Sequence, residues 1–226
     1  MKRTLLFVSL FSLFINFSQA QIRVACIGNS ITFGAGIDHR DSLSYPAQMA
    51  RLLGNEWKVG NFGISGSTLL KKGDKPYWKE TRLADAMAFA PDVVVIKLGT
   101  NDSKPQNWQF KDEYVNDYLK LVDTLQAMPS HPLVFICIPA PAYGIKWGIN
   151  DSIINADVIP RVKTVAKLKK LPIINLNKVL ANHPELFPDL IHPNAEGAGL
   201  MAKKIASVLG KSKRKIVKNR NANHQN

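Results

Sequence analysis

Five short runs rich in Val and Ile, at 22–27, 57–61, 92–98, 133–138 and 172–176, alternate along this chain with amphipathic stretches. Parallel strands need a crossover of a dozen residues or more, usually a helix, so the alternation is that of βαβ units around a parallel sheet. The runs are short and rich in Val and Ile, as strands covered on both faces are. Helices are predicted at 45–53, stopped by Gly54, at 78–89, stopped before Pro91, and at 111–128, 152–171 and 195–209. In the third, Val115, Tyr118, Leu119, Val122 and Leu125 recur at three- to four-residue spacing and make one apolar face for the sheet. The expected fold is α/β, with a five-stranded parallel sheet.

A chain of 226 residues has room for one such domain. Residues 1–20 place Lys2 and Arg3 before an apolar run at 5–17 and close on Ser18-Gln19-Ala20, the layout of a signal peptide cleaved near Ala20. The apolar run is shorter than the ~20 residues that cross a bilayer. The domain is therefore expected to span 21–210, exported to the periplasm or beyond without stable membrane insertion. Lys and Arg number 30 against 17 Asp and Glu, a net charge of +13. Two of those surplus charges lie in the leader and six in residues 211–226, which are expected to be a basic, disordered tail. The +5 left on the domain makes no case for a nucleic-acid partner.

In an open parallel sheet, ligands bind beyond the carboxyl ends of the strands. Those positions carry Gly28-Asn29-Ser30-Ile31-Thr32 after the first strand, Asn61-Phe62-Gly63-Ile64-Ser65-Gly66-Ser67 after the second and Gly99-Thr100-Asn101-Asp102 after the third. The last helix is preceded by Asp189-Leu190-Ile191-His192-Pro193-Asn194. Together they supply a nucleophilic hydroxyl in Ser30, a base in His192 and a carboxylate, Asp189, to orient the imidazole. Acyl transfer also needs donors aimed at the developing oxyanion; Gly63, the Asn101 amide and the Ser30 N–H suit that task. Asp102, and the pair Asp38-His39, remain alternative acid and imidazole sources.

These four blocks resemble those of the SGNH hydrolases, the GDSL esterases and lipases, whose Ser, Gly, Asn and His fall here on Ser30, Gly63, Asn101 and His192 in the family's order. The resemblance runs from Ile22 to Asn194. It implies a flavodoxin-like three-layer α/β/α sandwich and metal-independent ester hydrolysis, with Ser30, His192 and Asp189 as triad and Ser30, Gly63 and Asn101 around the oxyanion. One block departs from the family: the usual Gly-Asp-Ser is Gly28-Asn29-Ser30, an amide in place of a charge. Exported members with this first block are similar to carbohydrate O-acetylesterases, including sialate-type ones. A small-molecule or glycan acetyl ester is the expected substrate. Lysophospholipase, short-chain lipase or thioesterase activity, or a silent glycan-binding protein, are the alternatives.

Other chemistry finds little support. Gly63-Ile64-Ser65-Gly66-Ser67 lacks the closing Gly of a nucleophile elbow, and Gly34-Ala35-Gly36 comes too late for a dinucleotide fingerprint. The five His and two Cys show no metal-ligand spacing, so neither metal nor cofactor is expected. Cys26 and Cys137 fall in the first and fourth strands, which the third would hold about 9–10 Å apart, too far for a disulfide. Tyr77, Trp78, Trp108, Tyr143 and Trp147 sit in or near the site loops as candidates for an apolar platform.

Overall fold

A computed structural model describes residues 21–223. The expected leader, 1–20, lies outside the described residues. Five strands, β1 (Ile22–Gly28), β2 (Trp57–Gly63), β3 (Val93–Lys97), β4 (Leu133–Ile138) and β5 (Ile173–Asn175), form one sheet in the order β2-β1-β3-β4-β5. Every pairing is parallel, in the flavodoxin-like order.

Successive side chains on a strand point to opposite faces, so each buried strand feeds two cores. Ala25, Ile27, Val94 and Ile96 enter one. There they meet α3 (Thr81–Ala88) through Leu83 and Ala86, α4 (Tyr114–Gln126) through Tyr118, Leu121, Val122 and Leu125, and α5 (Ile159–Lys169) through Val162 and Val165. Val24, Cys26, Val93, Val95 and Cys137 enter the other, beneath α2 (Tyr45–Leu53) and α6 (Ala195–Asn223). The result is the three-layer sandwich. Between Cys26 and Cys137 lies β3, and both thiols are free and buried.

The C-terminal end departs from expectation. Residues 211–223 are not a disordered tail: α6 continues to Asn223. Ile205, Leu209 and Ile216 carry its apolar stripe past residue 210, and Ile216 is 1% exposed. The Asn219 and Asn223 amides donate to the His131 and Ser130 carbonyls, and Lys213 pairs with Glu56 at 2.7 Å. A net-charge count hides this stripe: Lys211, Arg214, Lys215 and Lys218 face outward, while Ile216 and Arg220 are buried and Val217 packs beside them against the core.

Candidate active site

β1 ends at Gly28, and Asn29 caps a single helical turn, α1 (Ser30–Phe33), its Oδ1 accepting from the Ile31 N–H at 3.2 Å. Gly34 closes the turn at φ +92°. Ser30 therefore stands at the head of a short turn with its own N–H directed out of it. On the opposite side, Asp189-Leu190-Ile191-His192 makes a tight loop with Leu190 at φ +72°. Asp189 Oδ1 accepts from the Ile191 and His192 backbone N–H groups at 3.0 and 2.7 Å. Its Oδ2 accepts from His192 Nδ1 at 2.7 Å, which leaves Nε2 to accept from the Ser30 hydroxyl at 2.8 Å. Burial raises the Asp189 pKa, but these N–H donors and the imidazole outweigh it and hold the carboxyl below its ordinary value.

Ser30 and His192 open onto a cavity of about 270 Å³ that Gly66, Asn101, Lys104, Trp147 and Ile149 help to line. Asn101 lines this cavity beside Ser30 and His192. Its Nδ2 spends one hydrogen on the Ser67 carbonyl at 3.0 Å and has a second to offer. Asp102 is no triad member: it is fully buried and accepts from the Leu69 and Leu70 N–H groups at 3.0 and 2.8 Å, with burial lifting its pKa to about 6. Asp38 and His39 do not line the cavity.

Gly63 is not where the oxyanion reading needs it. It pairs with Gly28 as the last residue of β2, and its N–H donates to Asn61 Oδ1 at 3.0 Å. A Cβ there would lie 2.2 Å from the Phe33 nitrogen, so Gly63 is the glycine that lets β2 pass behind α1. It lines a separate hollow of about 470 Å³ with Arg40 and Arg51, whose guanidiniums are engaged on the Phe33 and Ser42 carbonyls. Gly66 occupies the cavity instead, at φ +84°, and its N–H makes no backbone hydrogen bond among the described residues. The misassignment has a simple origin. β2 runs two residues beyond 61, which carries Gly63 into the sheet and advances the turn to Ser65-Gly66.

Of the five loop aromatics, Trp147 alone reaches the cavity. Its ring stands 5.5 Å from the His192 ring, and the residue is 57% exposed at φ +53°. Tyr77 is buried with its hydroxyl on the Phe62 carbonyl, Trp108 donates to Asp157, and Tyr143 packs on Phe187. Trp78 sits under the Lys71 ammonium. Lys104, which carries no sequence signal, joins the wall while paired to Asp74 at 3.3 Å. Among the described residues no three His, Cys, Asp or Glu side chains gather as a metal centre requires, and no helix is long and apolar enough to cross a membrane.

Comparison with known proteins gives the family and the fold. Residues 26–200 match the GDSL-like Lipase/Acylhydrolase family. The chain is 45% identical over 206 residues to an acetylxylan esterase of Xylanibacter ruminicola, a match covering 83% of this chain and 43% of that protein, so the chain spans less than half of the relative's length. In fold it is similar to Est24, a carbohydrate acetylesterase from Sinorhizobium meliloti, at 21% identity and TM-score 0.71, covering 84% of this chain and 99% of the other. The native aryl esterase of M. smegmatis gives 18% identity and TM-score 0.70, with 85% and 99% covered.

Proposed function

The chain belongs to the GDSL-like lipase/acylhydrolase family, and from that premise we propose that it is a serine esterase removing acetyl groups from a carbohydrate. The observation that carries the reading is the unbroken hydrogen-bond chain from Ser30 Oγ through His192 to Asp189 at the mouth of a small cavity. Ser30 Oγ attacks the ester carbonyl as its proton passes to His192 Nε2. Asp189 holds the imidazole in the tautomer that can take that proton and steadies the imidazolium that results. The Ser30 and Gly66 N–H groups and the Asn101 amide serve the oxyanion. His192 then protonates the leaving alcohol, and water drawn in by the same imidazole resolves the acyl-enzyme, regenerating Ser30.

The volume of the cavity and the Trp147 wall favour a short acyl group, and the acetylxylan esterase relative makes an acetylated xylan the first polymer to test. The exposed apolar side chains of Ile145, Trp147 and Leu190 offer a longer acyl chain somewhere to lie, which keeps a lipase-type preference as the second reading. A cleaved leader at 1–20 and an exported enzyme beginning at Gln21 complete the proposal.

A fluorophosphonate probe with adduct mapping, run beside p-nitrophenyl acetate and octanoate, tests it. An adduct on Ser30, turnover of acetate over octanoate and acetate release from acetylated xylan are expected; turnover by Ser30→Ala overturns the assignment. N-terminal sequencing of the exported protein tests the start at Gln21.

A further inference from the structure

We propose that Lys97 is a positioning residue for this reaction: from beneath the site its amine ties the residue before Ser30 to the residue before Asn101, and so sets the nucleophile against its oxyanion donor. The inference rests on the proposed function.

Lys97 is the last residue of β3, opposite Gly28 at the end of β1, and it is completely buried. Its Nζ lies 3.2 Å from Asn29 Oδ1 and 2.9 Å from Thr100 Oγ1. The same Asn29 oxygen caps α1 through the Ile31 N–H. One amine therefore engages both strand-end turns that carry the reacting groups, and each bonded residue is the immediate chain neighbour of one of them.

A buried lysine without an anion is costly, and a purely packing role would be filled at lower cost by an apolar side chain. The ionisable groups sharing this face are the Cys26 and Cys137 thiols and the Tyr45 phenol, all driven upward by burial and so uncharged. Asp189 is already bound to His192, beyond Ser30. Burial accordingly pulls the Lys97 amine down to about 7. Charged or neutral, the amine keeps at least two hydrogens for its two acceptors, so the bridge holds on either side of neutrality. Here the amide at Asn29 makes chemical sense: it accepts from Lys97 without placing a fixed charge next to the nucleophile.

The test separates positioning from mere support. Wild-type labelling of Ser30 by the fluorophosphonate is measured first; failure there sinks the esterase reading and this one with it. In Lys97→Met, kcat for p-nitrophenyl acetate should fall about 10²-fold, the scale of an ~1 Å misplacement, with KM little changed and Ser30 labelling slowed in parallel. Thermal stability at pH 6 should be no lower than wild type. Any gain should shrink toward pH 10, because a depressed lysine pKa costs stability fully below about 7 and less as pH climbs to the ordinary value of 10.5. Thr100→Val should lower kcat and Thr100→Ser restore it, a readout that stands even if Lys97→Met does not fold. Unchanged kcat in Lys97→Met or in Thr100→Val, or parallel loss of kcat and melting temperature at every pH in Lys97→Met, overturns the proposal.

Discussion

Asp189 grips His192 at both ends, Oδ2 on the imidazole Nδ1 and Oδ1 on the backbone N–H of the same residue, each at 2.7 Å. One carboxylate thus fixes both the position of the base and the face it turns to Ser30. The arrangement needs an acceptor at each oxygen, and an amide has only one.

Asp189→Asn should therefore leave the fold intact and drop kcat by about 10⁴-fold with KM nearly unchanged, because the amide turns a donor on Nδ1 and reverses the tautomer. Steady-state kinetics on p-nitrophenyl acetate check it. A loss below tenfold would mean that the carboxylate does not orient the base.

The two glycines of the second block should respond in opposite ways. Gly63→Ala forces a Cβ against the α1 backbone and should abolish folding or lower the melting temperature sharply. In Gly66→Ala the new methyl meets only Lys75 Cδ, at 3.5 Å, and the backbone N–H is kept, so the chain should fold at a cost of about 1–2 kcal/mol for the left-handed backbone and retain most of its kcat. A loss of folding in Gly66→Ala as large as in Gly63→Ala would show that this turn has no room for a side chain.

Trp147→Ala removes the side chain standing beside the His192 ring and opens one wall of the cavity. The octanoate-to-acetate ratio of kcat/KM should rise. An unchanged ratio would place the determinant of acyl length elsewhere.

Asp102 is the pH-sensitive strut beneath the second and third blocks. Its folded pKa of about 6 exceeds the ordinary 3.8, so the folded chain holds the proton more tightly. Its cost is absent below about 4, grows between those values and is complete above about 6. At pH 4 Asp102→Asn should be less stable than wild type, because its amide offers one acceptor to the Leu69 and Leu70 N–H groups, and by urea denaturation that deficit should shrink by up to about 3 kcal/mol between pH 4 and pH 7. A difference independent of pH would show that the carboxylate titrates normally.

The order of strands and helices was legible in the sequence because each buried strand needs a local apolar run and each crossover a local amphipathic pattern. Parallel topology then carries the strand ends to one edge, and for that reason Ser30, Asn101, Asp189 and His192 could be picked out from motifs far apart in the chain. What the sequence could not settle depended on contacts between segments. The pairing of Gly28 with Gly63 decided that β2 runs two residues further than its apolar run, which exchanged Gly63 for Gly66 in the cavity. The burial of Ile216 in the second core decided that the basic segment is helix and not tail. Lys97 ends an otherwise apolar strand, and only the convergence of β1 and β3 shows that its amine reaches both Asn29 and Thr100. Local pattern sets which element forms; register and packing across the sheet set which side chain in it meets the site.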